Sequence, residues 1–261
     1  MAGDGSRRPL RARLRDGERM LGTFVKSRDP LISETLAAAG YDFVVADLEH
    51  SSLSAGEVEG IVRACDVHDV PVIVRIPPSG LPLCGSLLDA GVTGIQVSDV
   101  SSAAVAAAVR ASAHYPPVGE RSLSLSTRAA VFGAVPAAEH VGSSLARTVL
   151  IGQIESRAGL AALPEILDSG VFDGLFFGPT DMAVALGHPG DPGHPDVAGA
   201  LRDAAGLILG HGTPLGIFCA TADEARQWAS RGLTFLAIST DLGMLRGAAV
   251  SALGAVSRVR G

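Results

Sequence analysis

Eight short runs rich in Val, Ile, Leu and Phe recur along this chain, separated by Ala-rich segments whose apolar positions return at helical spacing. A strand that is apolar on both sides must be covered on both faces, the situation of a parallel sheet flanked by helices. The runs are 20–25 (MLGTFV), 42–47 (DFVVAD), 71–76 (PVIVRI), 93–97 (TGIQV), 148–154 (TVLIGQI), 173–178 (DGLFFG), 214–218 (PLGIF) and 234–239 (TFLAIS). Helices are expected over 30–39, 54–68, 101–113, 157–168, 196–210, 221–231 and 241–258. Asp29-Pro30 and the Ser54/Glu57 pair supply start signals, and a glycine just before several of the strands, Gly40 and Gly232 among them, supplies stops. Eight such units close naturally into an α/β (β/α)8 TIM barrel; an open doubly wound sheet is the alternative this pattern leaves. The expected organisation is a flexible N-terminal arm over 1–19 and one barrel domain over 20–261. The stretch 115–147 reads as one long irregular connection.

Composition narrows the function classes. The chain is 47% hydrophobic with a net charge of −6, and basic residues gather only in the first 19, which hold six arginines. No apolar run there is long enough for a signal peptide or a span, so a cytoplasmic protein without membrane or nucleic-acid partners is expected. Cys65, Cys84 and Cys219 lack metal or disulfide spacing and read as buried, reduced thiols.

In a closed barrel, chemistry collects where the strands end. Strand two ends in Asp47-Leu48-Glu49-His50, strand three carries Arg75, strand four Gln96, strand five Gln153-Ile154-Glu155, and strand six runs into Gly178-Pro179-Thr180-Asp181. Glu155 and Asp181 on neighbouring strand ends are hard oxygen donors suited to Mg2+, Mn2+ or a similar ion. A salt-bridged Glu155 and a helix-capping Asp181 are the structural alternative. His50, three residues after Asp47, forms a candidate acid–base dyad with it, although a histidine after a strand is commonly a loop residue. Arg75 closes an apolar run and needs an anion, either a substrate or a rim acid such as Glu49. Ser239–Gly243 lies where barrels often bind phosphate, but Asp241 repels phosphate, and Thr240 or Asp241 suffices as a helix cap. His68, His114, His140 and His211 have no ligand spacing, and His188 and His194 are read as shaping a Gly/Pro loop. Lys26, at the end of strand one, is the sole lysine and hence the sole Schiff-base candidate.

Several stretches combine into a resemblance: AGYDFVVADLEH, PVIVRIP, LLDAGVTGIQV, YPPVGERS, IGQIES and DGLFFGPTDMAVALGHPGDPGHPDV. Together they resemble the HpcH/HpaI aldolase family, metal-dependent class II pyruvate aldolases of the phosphoenolpyruvate/pyruvate-domain superfamily. The resemblance covers residues 20 to 245 and implies a carbon–carbon lyase that makes or cleaves a 4-hydroxy-2-oxo acid through a metal-bound pyruvate enolate and an aldehyde. It places the metal (Mg2+, Mn2+ or Co2+) on Glu155 and Asp181, the base on His50 with Asp47 as its partner, and Arg75 on the enolate oxygen. Gln153 falls beside the metal, Gly178 and Thr180 line the pyruvate carboxylate, and Asp89 matches an aspartate offered by a neighbouring subunit. It further implies a homohexamer, a trimer of dimers, in which the last helix, 241–258, swaps between barrels.

Three positions depart from the family pattern. Gly85 replaces a frequent lysine, Ser98 a common proline after GIQV, and Ser122 the glycine of the YPP turn; all three are expected on the acceptor side or at the subunit contact, away from the metal. Rival readings are oxaloacetate decarboxylation or citrate-lyase-like acyl-CoA cleavage through the same enolate, and a non-catalytic barrel that binds 2-oxo acids.

Overall fold

Successive residues of a strand face opposite sides of a sheet, so in a closed barrel every second residue points inward. The computed structural model, which describes residues 8–257, has this geometry. Its eight parallel strands are β1 (Met20–Val25), β2 (Phe43–Asp47), β3 (Val72–Ile76), β4 (Gly94–Val97), β5 (Val149–Ile154), β6 (Gly174–Phe177), β7 (Leu215–Cys219) and β8 (Phe235–Thr240), closed in sequence order with β8 against β1. The expected barrel is therefore the observed one, and each observed strand lies within one residue of its expected run.

The inward set makes its own core. Met20, Phe24, Phe43, Val45, Ile73, Val149, Ile151, Phe176 and Phe235 pack inside the barrel, with Phe43 and Phe235 stacked at 3.9 Å between centroids. Room for the Phe43 ring exists because residue 22 is glycine; a Cβ there would sit 2.2 Å from the ring. The outward set packs beneath the helices in a second, larger layer. These helices are α2 (Pro30–Ala38), α3 (Ala55–Asp66), α4 (Cys84–Asp89), α5 (Ala103–Ala113), α6 (Ala137–Arg147), α7 (Arg157–Ala161), α8 (Leu163–Asp168), α9 (Pro179–Leu186), α10 (Pro195–Gly210), α11 (Ala222–Ala229) and α12 (Asp241–Ser257). The expected starts are used: the Asp29 side chain accepts from Leu31 N at 3.0 Å, and Ser54 N donates to Glu57 at 2.7 Å.

Three expectations need correction. Residues 10–15 form a helix, α1 (Leu10–Arg15), and are no loose arm: Leu10 and Leu14 join the inward core at the foot of the barrel, and Arg13 pairs with Asp42 at 2.7 Å. Residues 1–7 of that arm, and the end of the expected last helix at 258, lie outside the described residues. The helix expected over 157–168 is two, α7 and α8, broken at Ala162 ahead of Pro164. The stretch 115–147 is irregular only in its first part and ends in α6. No helix among the described residues is long and apolar enough to cross a membrane.

Candidate active site

The period-2 alternation that builds the core also builds the site, because following the inward set upward replaces apolar side chains with polar ones. On β2 the inward residues run Phe43, Val45, Asp47; on β3, Ile73, Arg75; on β5, Val149, Ile151, Gln153, followed by Glu155 just past the strand end. Strand register sets Asp47 beside Arg75 and Arg75 beside Gln96, so three buried polar residues lie level across β2, β3 and β4. Of these Arg75 reaches a cavity of about 360 Å³, which is also lined by Lys26, His50, Gln153, Gly178, Thr180 and Asp181, with Phe24, Phe176 and Phe218 as apolar wall.

Arg75 and Asp47 form a two-pronged ion pair: Nε donates to Oδ1 at 2.9 Å and Nη2 to Oδ2 at 2.7 Å. Burial alone would push the Asp47 carboxyl up, but the Arg75 hydrogen bonds and charge outweigh it and hold Asp47 below the usual carboxylate range. Removing one partner of such a pair costs about 3–5 kcal/mol, since the other charge is left buried. Lys26 Nζ lies 3.3 Å from the same carboxylate and donates to the His50 carbonyl at 3.1 Å. The Arg75 guanidinium also lies 4.7 Å above the Phe24 ring and 3.5 Å from Glu49. Both partners expected for Arg75, a rim acid and the cavity, are thus present together.

Glu155 has the most constrained carboxylate. It is 7% exposed, accepts the Asp99 N–H at 2.9 Å through Oε1, and accepts from Gln153 Nε2 through Oε2. Gln153 in turn accepts from Gln96 Nε2 at 2.6 Å, so an amide relay crosses from β4 to β5. Burial pushes the Glu155 carboxyl up to about 7; the Gln153 and Asp99 hydrogen bonds oppose it, while Asp181 and Glu49 add to it. Asp99 takes a left-handed φ of 43° to aim its N–H there. A Cβ at residue 178 would fall 2.2 Å from Glu155 Oε2, so the glycine there leaves the carboxylate in its place.

A family profile described as HpcH/HpaI aldolase/citrate lyase matches residues 20–248. The chain belongs to this family. It is 35% identical over 236 residues to a pyruvate aldolase of Rhizobium etli, covering 90% of this chain and 92% of that one. It is 33% identical to a 5-keto-4-deoxy-D-glucarate aldolase of Klebsiella pneumoniae, covering 87% and 88%. A solved HpcH/HpaI aldolase/citrate lyase family protein from Burkholderia cenocepacia superposes with a TM-score of 0.89 at 31% identity, covering 95% of this chain and 98% of that one.

As an HpcH/HpaI member the chain brings most of its expected site residues to one cavity, with one revision. The Asp47 carboxylate does not reach the His50 ring. It accepts the backbone N–H groups of Glu49 and His50, each at 3.2 Å, and is otherwise occupied by Arg75 and Lys26. The acid beside the imidazole is Glu49, whose Oε2 lies 3.9 Å from His50 Nε2 and has no hydrogen-bond partner. Ser98, where the family pattern has a proline, donates to Glu49 Oε1 at 2.6 Å. Asp89, expected to serve a neighbouring subunit, is held by Arg121 and does not line this chain's own cavity. Thr240 caps α12 by accepting from Gly243 N at 2.9 Å, and the buried Asp241 carboxylate ties down the Lys26–Ser27 backbone, the Ser27 N–H at 2.8 Å. Burial pushes the three thiols up to about 12, 11 and 12, which leaves them without nucleophilic character.

Proposed function

We propose that this chain is a carbon–carbon lyase, an aldolase that makes or cleaves a 4-hydroxy-2-oxo acid through the enolate of a pyruvate-like substrate, with a divalent cation held by Glu155 and Asp181. The observation that carries the reading is the buried Glu155 carboxylate. Its charged form is disfavoured where it stands, it feels a second carboxylate from Asp181, and the cavity-lining glycine at 178 leaves room for its oxygen. Two hard-oxygen donors with space for waters suit Mg2+, Mn2+ or Co2+. Such an ion, when bound, supplies a Lewis-acidic charge for the 2-oxo acid oxygens.

The chain's own groups supply the remainder. The first turn of α9, entered through Gly178-Pro179, leaves the Thr180 and Asp181 N–H groups without intrahelical partners, and these suit the substrate carboxylate. Arg75, locked by Asp47, presents a fixed positive charge to the cavity, where the enolate oxygen develops its negative charge. Gln153 orients Glu155. His50, at the mouth with its side chain 53% exposed and Glu49 beside its ring, takes a proton from the substrate methyl carbon in synthesis and returns it in cleavage. In synthesis the enolate carbon attacks the aldehyde carbon and the resulting alkoxide is protonated; cleavage is the reverse. The exposed apolar residues of α12 support assembly with further copies of this chain, the hexamer with a swapped last helix that the family resemblance implies.

Incubation with pyruvate in D2O, followed by NMR, tests the reading. Methyl-proton exchange is expected with Mn2+ or Mg2+, abolished by EDTA, and suppressed about 10²–10⁴-fold in His50→Ala. Exchange indifferent to EDTA would overturn the metal assignment, and no exchange with or without an aldehyde would favour a binding protein.

A further inference from the structure

One group of three metal-ligating side chains among the described residues lies outside the cavity: His188, His194 and Asp196, whose donor atoms all fall within 4.8 Å of one another. Sequence spacing assigned the two histidines only a shaping role in the loop between α9 and α10. The backbone holds both in place. His188 follows Gly187, the left-handed C-cap of α9, its N–H donating to Ala183 O at 2.8 Å, and His194 is the N-cap of α10. Asp191 bridges them, donating to His188 O and accepting from His194 N, each at 3.1 Å. Two caps and a short turn thus bring the rings together, stacked 3.5 Å apart and 13° from parallel.

The stacking points both ring edges at one carboxylate oxygen. His188 Nε2 lies 3.1 Å and His194 Nδ1 3.7 Å from Asp196 Oδ2. Ligand atoms about 2.0–2.1 Å from a tetrahedral zinc are roughly 3.4 Å apart, so the two observed separations bracket the required one. His194 Nδ1 accepts a long bond from Asp196 N, 3.3 Å, which a bound cation would displace. Face-to-face packing is the less favourable arrangement of two aromatic rings, so the stack gains little by itself. The α10 N-terminus disfavours a cation, and the Asp196 charge offsets it. Two imidazoles and one carboxylate, with solvent to complete the shell, match a borderline first-row ion and not magnesium.

We propose that His188, His194 and Asp196 form a second metal site, separate from the Glu155/Asp181 pair, that takes a zinc-class cation. The site staples the end of α9 to the start of α10. The first turn of α9 bears Asp181, and the stapled loop contributes Pro192 and Gly193 to a cavity that continues from Pro179 and Thr180. The ion is therefore structural, fixing the wall beside the active-site mouth.

Zinc binding by untagged, full-length protein carrying Glu155→Gln tests this apart from the proposed function, because the carboxylate pair is then disabled. About one equivalent of zinc is expected to survive gel filtration, in excess Mg2+. Adding His188→Gln or His194→Asn weakens zinc binding by more than about tenfold, with the far-UV circular dichroism of the parent showing that the fold persists. Co2+ in place of zinc is expected to give intense visible bands that both substitutions remove. Zinc affinity unchanged by both histidine substitutions, or no zinc retained by Glu155→Gln alone, would overturn the proposal.

Discussion

Burial lifts the Glu155 carboxyl from the ordinary 4.5 to about 7, so without a cation the folded chain holds its proton more tightly than the unfolded chain does. The sign follows. Between those two values the native state carries the extra proton, so this residue's contribution to stability falls as pH rises from about 4.5 to about 7 and then levels off. A shift of this size corresponds to about 3 kcal/mol. Asp47, held below its usual range, acts oppositely: its contribution is full at neutral pH and is lost as the solution becomes strongly acidic. A cation on Glu155 competes with the proton. The Mn2+-induced rise in melting temperature is therefore expected to grow between about pH 5 and pH 7, and to vanish in Glu155→Gln. A rise independent of pH would remove Glu155 from the ligand set. Lys26 raises a separate question, since it lines the cavity and is the one lysine available for a Schiff base. Paired with Asp47 and turned to the His50 carbonyl, it holds the mouth together. Lys26→Met is expected to keep metal-dependent proton exchange within about tenfold, the loss of a partly exposed ion pair. Borohydride with pyruvate should leave the wild-type protein active; irreversible inactivation would restore the lysine mechanism.

At the scale of elements, strands were legible and short helices were not. Each strand is apolar on both faces, so its run stands out whatever the neighbours; α1, α4 and α9 are six to eight residues long and carry too few periodic positions to declare themselves. In α1 the arginines around Leu10 and Leu14 hid the one spacing that mattered, i and i+4. The site divides along the same line. Which residues sit at strand ends can be read along the chain, so Glu155, Asp181, Arg75 and His50 were accessible. Who touches whom depends on register between strands, so the Asp47–Arg75 pair and the Ser98–Glu49 bond were not. That α1 matters is testable. Leu14 is 1% exposed within the inward core, and Leu14→Ala is expected to cost about 3 kcal/mol and lower the melting temperature by roughly 6–12 °C. A loss below about 1 kcal/mol, read from denaturant melts, would return 10–15 to the status of an arm.

For the molecule as a whole, α12 is the part that the single chain does not explain. Leu242, Leu245, Val250 and Val256 are 49%, 65%, 54% and 57% exposed, on a helix whose described charges are Asp241 and Arg246. Burying one such side chain contributes about 1.5–3 kcal/mol, so a surface of this kind on a seventeen-residue helix favours a protein partner over water. A second copy is the economical partner, because a two-fold contact covers the same apolar face on both chains at once. Light scattering is expected to give a mass several times the 26.5 kDa of the chain. Leu245→Asp with Val250→Asp should lower it toward that of the single chain while circular dichroism keeps the barrel's signal, since neither residue belongs to either core layer. If the wild type is already monomeric, or the double variant keeps the parent mass, α12 is not the seam between copies and its apolar surface requires a different cover.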